Sequence, residues 1–195
     1  MVEIPFITGE VLFTVAWFAV RITVCIVRHS VDWRHEALLL LMYANLAVII
    51  RFTFFPFSLV DGHIQSLVFE PAAIFPPRVN LIPLDHLFWF ETTKDLLTNI
   101  IGNVALFIPT GIILPIIWKG LDRWWKAIPA GMLISLIIEL LQLPFASRAT
   151  DIDDLILNSL GVIIGYIIYA AIHAARRRDE PSRGRHLRSQ ENRLR

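Results

Sequence analysis

Long apolar blocks are the feature that most limits what this chain can fold into. We count five of them, at residues 11–27, 37–55, 96–118, 124–144 and 152–175. Each block is close to the roughly 20 residues that a helix needs to cross a hydrocarbon core of about 30 Å. The 195 residues are 55% hydrophobic and only 18% charged, a lower charged fraction than soluble domains carry. The sequence therefore predicts an all-α, polytopic membrane protein with about five transmembrane helices.

The connection between the second and third blocks, residues 56–95, is not a plain loop. It contains short apolar pieces at 67–69, 72–75 and 87–90, and prolines separate them. These pieces are too short to span a bilayer, and apolar segments of this length are typical of the interface or of re-entrant loops. We expect an interfacial or re-entrant segment here.

Basic residues concentrate on one side of the predicted membrane. They lie in the turns at 28–36 and 119–126 and in the tail at 176–195, whereas the opposite connections are rich in Asp and Glu. Basic loops stay in the cytoplasm, so this distribution predicts an outer N-terminus and a cytoplasmic C-terminus. We predict one transmembrane domain over residues 1–175 and a basic, mobile cytoplasmic tail over 176–195. The N-terminus lacks the basic start and cleavage site of a signal peptide, so the first block reads as a retained helix.

Several kinds of site have no sequence support. A single cysteine, Cys25, provides no thiolate cluster, the six histidines show no ligand spacing, and no phosphate-binding or dinucleotide-binding motif is present. Glu139, Asp151, Asp153 and Asp154 are hard oxygen ligands that suit Mg²⁺ or Ca²⁺, but Asp153 is expected to point away from the others. We expect no cofactor and no nucleic-acid partner, and a divalent metal remains an open alternative.

Polar residues inside or beside the apolar blocks gather near the predicted outer surface. The candidate ligand-binding residues are Arg51, Asn80, Asn99, Asn103, Glu139, Gln142, Arg148, Asp151, Asp154 and Asn158. Buried carboxylates are costly in a membrane unless they are paired or hydrated. We therefore predict a small, polar, externally open cavity between the outer ends of the second to fifth helices. Arg51 and Arg148 would balance its carboxylates and grip a phosphate, sugar or lipid headgroup, while apolar walls hold a lipid tail.

Structural roles compete with these functional ones. Thr150 and Asp153 fit a capping box at the start of the last helix, and acids are favoured at a helix N-terminus. The amides on the third helix are candidates for interhelical hydrogen bonds. Glu139 has the weakest structural explanation, because it is an acid inside an apolar run.

Glycines in the third and fifth blocks suggest close helix packing. Positions 151, 154, 158, 161 and 165 are spaced to share one helix face, and Gly161 with Gly165 forms a small-xxx-small pair. Gly102 and Gly111 are expected to allow close packing of the third helix, which Pro109 and Pro115 should bend. Whether the Gly161–Gly165 face packs internally or against a second copy stays open, and so does the oligomeric state.

These motifs together resemble the VanZ-like family. The resemblance rests on the stretch 148–165, Glu139-x-x-Gln142, Asn99-x-x-x-Asn103-x-x-x-Phe107-x-Pro109-x-Gly111, Asn80-Leu-Ile-Pro83, and Arg51 with Pro56. It implies a small, multi-pass protein of the bacterial cytoplasmic membrane, in a family associated with resistance to glycopeptide antibiotics, teicoplanin in particular. No catalytic residue transfers from the family.

Three hypotheses about function remain. The first is a non-enzymatic protein that binds a lipid-linked cell-wall precursor or a lipoglycopeptide in the outer cavity. The second is an enzyme that hydrolyses or transfers the headgroup of such a lipid, with Glu139 as general acid or base and with Asp151 and Asp154 assisting. The third is a flippase, against which stand the lack of an internal repeat and the confinement of polar residues to one side.

Overall fold

Five long helices dominate the described chain. The computed structural model describes residues 2–55, 59–60, 62–75, 79–83, 92–146, 148 and 150–191, and for 59–60, 73 and 178–191 the backbone alone. The helices are α1 (Phe6–Arg28), α2 (Trp33–Phe54), α3 (Thr93–Ile117), α4 (Trp124–Gln142) and α5 (Ile152–Glu191). All five are long and apolar enough to cross a membrane, α5 through Arg177. The predicted all-α, five-helix membrane fold is confirmed.

The helix boundaries follow local capping chemistry. Asp32 caps α2, because its carboxylate accepts hydrogen bonds from the backbone N–H groups of Arg34 and His35. Thr92 caps α3 by accepting from the N–H of Asp95 at 3.1 Å, and its hydroxyl donates to that carboxylate at 2.7 Å. α1 begins earlier than predicted, at Phe6 instead of residue 11, and α5 stays helical through the basic segment to Glu191.

Short strands close one end of the bundle, which we call the strand end. β1 (Val2–Ile4) pairs antiparallel with β4 (Leu67–Phe69), β2 (Leu59–Val60) pairs with β3 (His63–Ile64), and β5 (Val79–Asn80) runs parallel to β6 (Thr150–Asp151). These pairs link the N-terminus, the long connection and the turn before α5. α2 and α4 end at the strand end, whereas α1 and α5 start there.

The described part of the long connection between α2 and α3 does not form a further membrane-spanning helix. It consists of β2 to β5 and a 3-10 turn at Pro71–Ile74. The N–H of Glu70 donates to the carbonyl of Pro144 at 2.9 Å, and the N–H of Ala146 donates to that of Val68 at 3.0 Å. These bonds fix the connection to the turn after α4. Pro56 and the apolar piece predicted at 87–90 lie outside the described residues.

α3 and α5 make the most extensive contact of the described helices. Glycines make this possible, because a Cβ at Gly161 would lie 2.3 Å from the carbonyl oxygen of Val104, and one at Gly165 would lie 2.1 Å from that of Ile108. Gly111 faces the same interface from α3. The predicted close packing of Gly111, Gly161 and Gly165 is confirmed, and it is internal to the chain.

Gly102 corrects the sequence prediction. A Cβ added there would meet nothing within 4 Å, so this glycine does not serve close packing. It lies on a different face of α3 from Gly111, and no described residue is packed against that face at this position. The spacing of glycines along a helix shows which residues share a face, but not which face is covered.

α1 is the least buried of the five helices, since none of its residues is buried. It contacts α2 through aromatic rings and two polar pairs. The hydroxyls of Thr14 and Tyr43 lie 2.7 Å apart, and Nε of Arg21 donates to the carboxylate of Glu36 at 3.1 Å. Arg21, a charged residue inside the first apolar block, thus forms an ion pair within the protein.

Candidate functional site

Most of the predicted site residues lie in one polar cluster near the strand end. We call it the polar junction, and its members are Asn80, Asn103, Glu139, Gln142, Arg148, Asp151, Asp154 and Asn158. The helices bring it together, because α4 ends where α5 begins and α3 packs along α5. Sequence reasoning predicted this convergence, but not the contacts within it.

Glu139 occupies the centre of the junction. Its side chain is only 2% exposed. Oε2 accepts a hydrogen bond from the backbone N–H of Asp151 at 3.2 Å, while the Glu139 backbone carbonyl accepts from the hydroxyl of Thr150 at 2.9 Å. The carboxylate therefore binds the backbone at the start of α5 and holds it against α4. This contact is a structural reason for an acid inside an apolar helix.

Two amides of the junction join neighbouring elements. Nδ2 of Asn158 donates to the hydroxyl of Ser135 at 2.9 Å, which ties α5 to α4. Nε2 of Gln142 donates to the carbonyl of Thr53 at 2.6 Å and satisfies a carbonyl in the last turn of α2. Asn158 is 1% exposed and Gln142 is 4% exposed, so neither amide is open to a ligand.

Two further amides bind the carboxylates at the start of α5. Nδ2 of Asn103 donates to Oδ1 of Asp154 at 2.7 Å, and Nδ2 of Asn80 lies 3.5 Å from Oδ1 of Asp151. A carboxylate only accepts, so each amide must present its NH₂ group to it. The carbonyl oxygen of Asn103 is thus turned away from Asp154.

The N-cap of α5 corrects a sequence prediction. Asp151, not Thr150, caps the helix, since its Oδ1 accepts from the backbone N–H of Asp153 at 2.9 Å. Thr150 instead uses its hydroxyl to donate to Glu139. Asp151 also lies in β6, so it is not on the helix face that carries Asp154 and Asn158. The predicted capping box of Thr150 and Asp153 is wrong, because Asp151 is the cap and its own N–H donates to Glu139.

Arg148 lies in the turn between α4 and α5, outside the apolar spans. Its Nε donates to the carbonyl of Phe54 at 2.7 Å, so it caps the C-terminus of α2. Burial lowers the pKa of Arg148, and the negative charge of Asp154 opposes that shift. Nη2 is enclosed and donates to none of the described residues. The guanidinium is therefore committed mainly to structure, with one spare donor shielded from solvent.

Arg51 contacts α1 and the end of α2. Its guanidinium carbon lies 5.3 Å from the ring centre of Phe6 and 5.2 Å from that of Phe52, and Nη1 donates to the carbonyl of Phe55 at 3.4 Å. Cation–π contacts of this kind hold α1 beside α2. Arg51 was also expected beside Glu139, Asp151 and Asp154, and that placement stays a prediction.

A separate cavity of about 910 Å³ lies between α2 and α3, and we call it the α2–α3 groove. Its polar lining comprises Asn45, Asp95, Thr98, Asn99 and Asn103, and its remaining lining comprises Leu41, Ala44, Val48, Phe52, Gly102, Ala105, Leu106, Pro109 and Ile113. Four of the five polar residues lie on the first three turns of α3, at the strand end. The rest of the groove is apolar and follows the two helices into the bundle.

The predicted residues are thus divided between two regions. Asn99 and Asn103 line the groove, and Asn103 also belongs to the junction through Asp154. Asn99 makes no side-chain hydrogen bond with any described residue. The remaining predicted residues of the junction are absent from the described groove lining. Among the described residues, no group of three or more metal-ligating side chains could hold an ion.

Sequence reasoning missed some polar residues that contribute to these regions. Asn45 donates from Nδ2 to the carbonyl of Leu106 at 3.0 Å and accepts from the hydroxyl of Thr110 at 2.7 Å, which binds α2 to α3. An isolated amide within an apolar block was a visible signal for Asn45. Asp95 offers no comparable signal, because Thr92-x-x-Asp95 at the start of α3 is typical of helix capping.

Comparison with known proteins assigns the chain to a family. A family model for VanZ/LLP1 matches residues 38–173, which includes α3, α4 and the junction. The chain belongs to the VanZ/LLP1 family. Family membership and the five apolar helices together identify a multi-pass membrane protein. The resemblance inferred from the motifs is therefore confirmed.

A curated relative supports this assignment. Protein VanZ of Enterococcus faecium is 37% identical over 71 residues, which are 36% of this chain and 44% of that protein. The chain thus spans less than half the length of this curated relative. No solved structure matches the chain.

Proposed function

We propose that this protein is a non-enzymatic protein of the bacterial cytoplasmic membrane that binds a lipid-tailed envelope molecule in the α2–α3 groove. The ligand is a lipid-linked cell-wall precursor or a lipoglycopeptide, and its capture lowers the efficacy of glycopeptides, teicoplanin above all. One observation carries the proposal: the groove joins a long apolar wall to a polar end whose Asn99 amide is unused.

The dimensions of the groove suit a lipid chain. Ligand sites commonly enclose about 300–1,000 Å³, and the groove measures about 910 Å³. From Asp95 to Ile113 it follows α3 for about 27 Å, at roughly 1.5 Å per helical residue. This length is close to the thickness of a hydrocarbon core, so an extended chain would lie in the groove with its headgroup beside the first turns of α3.

We further propose that the strand end faces outside the cell. Basic residues lie at the opposite end, at Arg28, Arg34, Lys119, Arg123 and Lys126, and such residues favour the cytoplasmic side. The N-terminus would then be outside and the tail after residue 175 cytoplasmic. The polar end of the groove would open toward envelope lipids and antibiotics.

The enzymatic alternative receives less support from the geometry. Glu139, its general acid or base, is buried and accepts a hydrogen bond from Asp151, and neither residue is among the described lining of the groove. A general acid or base must reach the reacting atom, directly or through one water. The described contacts give Glu139 a packing role that accounts for its burial.

A substitution in Gly102 tests the proposal. Gly102 lines the groove and has open space where a side chain would project, so Gly102→Leu should fill the groove without disturbing the fold. In a teicoplanin-sensitive Gram-positive host, we expect wild type to raise the inhibitory concentration of teicoplanin and Gly102→Leu to abolish that protection. Vancomycin, which lacks a lipid tail, serves as the comparison antibiotic.

Gly120→Leu is the matched control. Gly120 also has no atom within 4 Å of an added Cβ, but it lies in the 3-10 turn at Lys119–Leu121, at the end opposite the strands. With membrane levels equalised by immunoblot, this variant should protect like wild type. Protection that survives Gly102→Leu would contradict a role for the groove, and absence of protection by wild type would contradict the resistance function.

A further inference from the structure

The hydrogen-bonding groups at the polar end of the groove favour one class of headgroup. This inference rests on the proposed function, because it concerns the same groove. We propose that the groove selects a lipid whose headgroup donates hydrogen bonds, through sugar hydroxyls or an ammonium group, and rejects a lipid that ends in a phosphate. Of the two ligands proposed above, this selectivity favours the lipoglycopeptide over a precursor whose sugars are joined to the lipid through phosphate.

Charge is the first argument. Among the described lining residues Asp95 is the only charged one, so the polar end carries a negative charge with no cation beside it. Lys94, its neighbour in sequence, is exposed and does not belong to the described lining. Proteins bind phosphate with arginine, lysine, a metal ion or free N–H groups at a helix N-terminus. At the start of α3 the N–H of Asp95 is already bound to Thr92, and a phosphate placed here would face the Asp95 carboxylate, which has the same sign.

Arg51 and Arg148, the arginines near the strand end, add no positive charge to the described lining of the groove. Nε of Arg148 is bound to the carbonyl of Phe54, and Arg51 packs on Phe6 and Phe52. Neither guanidinium is in the described lining of the groove, although Phe52 is. A phosphate in the groove would therefore have no described cationic partner.

Donor and acceptor roles supply the second argument. Asn103 uses one hydrogen of its NH₂ group on Asp154, so its carbonyl oxygen, with two lone pairs, and one amide hydrogen are left to meet a ligand. Oδ2 of Asp95 accepts from Thr92, which leaves Oδ1 as a further acceptor. The hydroxyl of Thr98 donates to the carbonyl of Lys94 at 2.8 Å, so its proton is already used.

Asn99 is the residue that could both donate a hydrogen bond to the headgroup and accept one from it. Its amide makes no side-chain hydrogen bond with a described residue, so one acceptor and two donor hydrogens are available. With Asn103 and Asp95 the polar end offers more acceptors than donors. Hydroxyl and ammonium groups satisfy such a surface, whereas a phosphate only accepts once it is ionised and would leave these oxygens unpaired.

Photo-crosslinking in nanodiscs tests this selectivity. The full-length protein is placed in zwitterionic phosphatidylcholine nanodiscs, with an uncharged polyether detergent used for purification so that no sugar detergent competes. Three probes share one diazirine-bearing alkyl chain and differ in headgroup: glucose, glucosamine and phosphate. Labelling of α2 and α3 is quantified by mass spectrometry.

We expect the two sugar probes to label the groove roughly tenfold more than the phosphate probe, a preference equivalent to about one well-formed hydrogen bond to a charged or buried group. Asn99→Leu should lower labelling by the sugar probes and so reduce that preference, while the tail still labels the groove and Asp95 still disfavours the phosphate probe. Asp95→Asn should lower glucosamine labelling to the level of glucose, which separates attraction of an ammonium from recognition of hydroxyls.

The controls distinguish failure of this inference from failure of the proposed function. Gly102→Leu should suppress labelling by all three probes, and Gly120→Leu should leave it unchanged. Equal or stronger labelling by the phosphate probe, still sensitive to Gly102→Leu, overturns the headgroup selectivity and keeps the groove as a lipid site. Labelling that Gly102→Leu does not reduce, or no labelling of the groove, overturns both.

Discussion

The polar junction and the α2–α3 groove lie side by side at the strand end, yet their amides are used differently. In the junction, Asn158 and Gln142 are buried and each donates to another element of the protein. In the groove, Asn99 is half-buried and bonds to no described side chain or backbone group. Glycines show the same contrast, since Gly165 touches backbone and Gly102 faces open space.

The contrast between the junction and the groove indicates which polar residues are available to a ligand. A buried polar group that is fully paired stabilises helix packing, and its conspicuous position in an apolar block then has a structural cause. A polar group that lines a cavity and lacks a partner is available to a ligand. Glu139 and Gln142 join neighbouring elements in this way, whereas the less conspicuous amide Asn99 is of the second kind.

The largest effect should come from glycines at the α3–α5 contact. In Gly165→Leu the side chain would begin 2.1 Å from the carbonyl oxygen of Ile108, and neither backbone can yield without separating the helices. We expect a loss of at least about 3 kcal/mol in the free energy of unfolding, or failure to accumulate. Gly102→Leu introduces the same side chain on the open face of α3, where an added Cβ meets no atom within 4 Å. Its free energy of unfolding should stay within about 0.5 kcal/mol of that of wild type.

Size-exclusion chromatography after heating in detergent measures this contrast. Gly165→Leu should give aggregated or absent protein at temperatures where Gly102→Leu remains monodisperse. Equal thermal stability of the two variants would show that the α3–α5 contact tolerates a side chain, and it would remove the distinction between the packed and open faces.

Substitution of a buried amide should have an intermediate effect on the free energy of unfolding. Asn158→Ala removes the hydrogen bond to Ser135 and leaves a buried hydroxyl unpaired, which should cost about 1–2 kcal/mol. Asn99→Ala removes no described hydrogen bond and should cost less than about 0.5 kcal/mol. Unfolding by increasing SDS, followed by tryptophan fluorescence, compares the two free energies.

A double-mutant cycle sharpens this result. Ser135→Ala combined with Asn158→Ala should restore part of the loss, because no buried hydroxyl is then left without a partner. A coupling of about 0.6 kcal/mol is typical of such pairs in membrane helices. If Asn99→Ala proved as destabilising as Asn158→Ala, the division between structural and available amides would be wrong.

The smallest effect should come from the ion pair at the opposite end of α1 and α2. Arg21 and Glu36 retain 19% and 23% of their side-chain exposure and lie toward the turn between α1 and α2, so the pair is only partly buried and close to the expected membrane interface. Arg21→Met should lower the free energy of unfolding by less than about 1 kcal/mol, with the apolar stem largely kept. The same SDS titration measures it, and Glu36→Gln should give a similar value. A loss above 3 kcal/mol would place this pair among the buried interactions instead.

Much of the architecture was determined by the sequence itself. Five apolar blocks must form helices in a bilayer, since only helices or closed barrels satisfy every backbone group there. The spacing of Gly161 and Gly165 predicted a packing face, and the motifs predicted the family. These features are local or periodic, so a single chain read from end to end contains them.

The residues that each polar side chain contacts were decided only by the tertiary structure. The sequence suggested carboxylates as the partners of Arg51, and the structure adds the ring of Phe6, which no sequence pattern indicated. It suggested Thr150 as a cap, but Asp151 fills that place because Glu139 fixes its N–H. Hydrogen-bond partners depend on distances between elements far apart in the chain, and helical periodicity does not determine those distances.

The open side of α3 was also decided by the tertiary structure. Gly102 and Gly111 look alike in sequence, but α5 covers only Gly111. Which helix face is covered depends on the crossing of α3 with α2 and α5, and that crossing follows from how all the helices pack at once. The sequence thus determined a helical membrane protein with a polar end, and packing decided which of its polar groups became structure and which remained exposed to the groove.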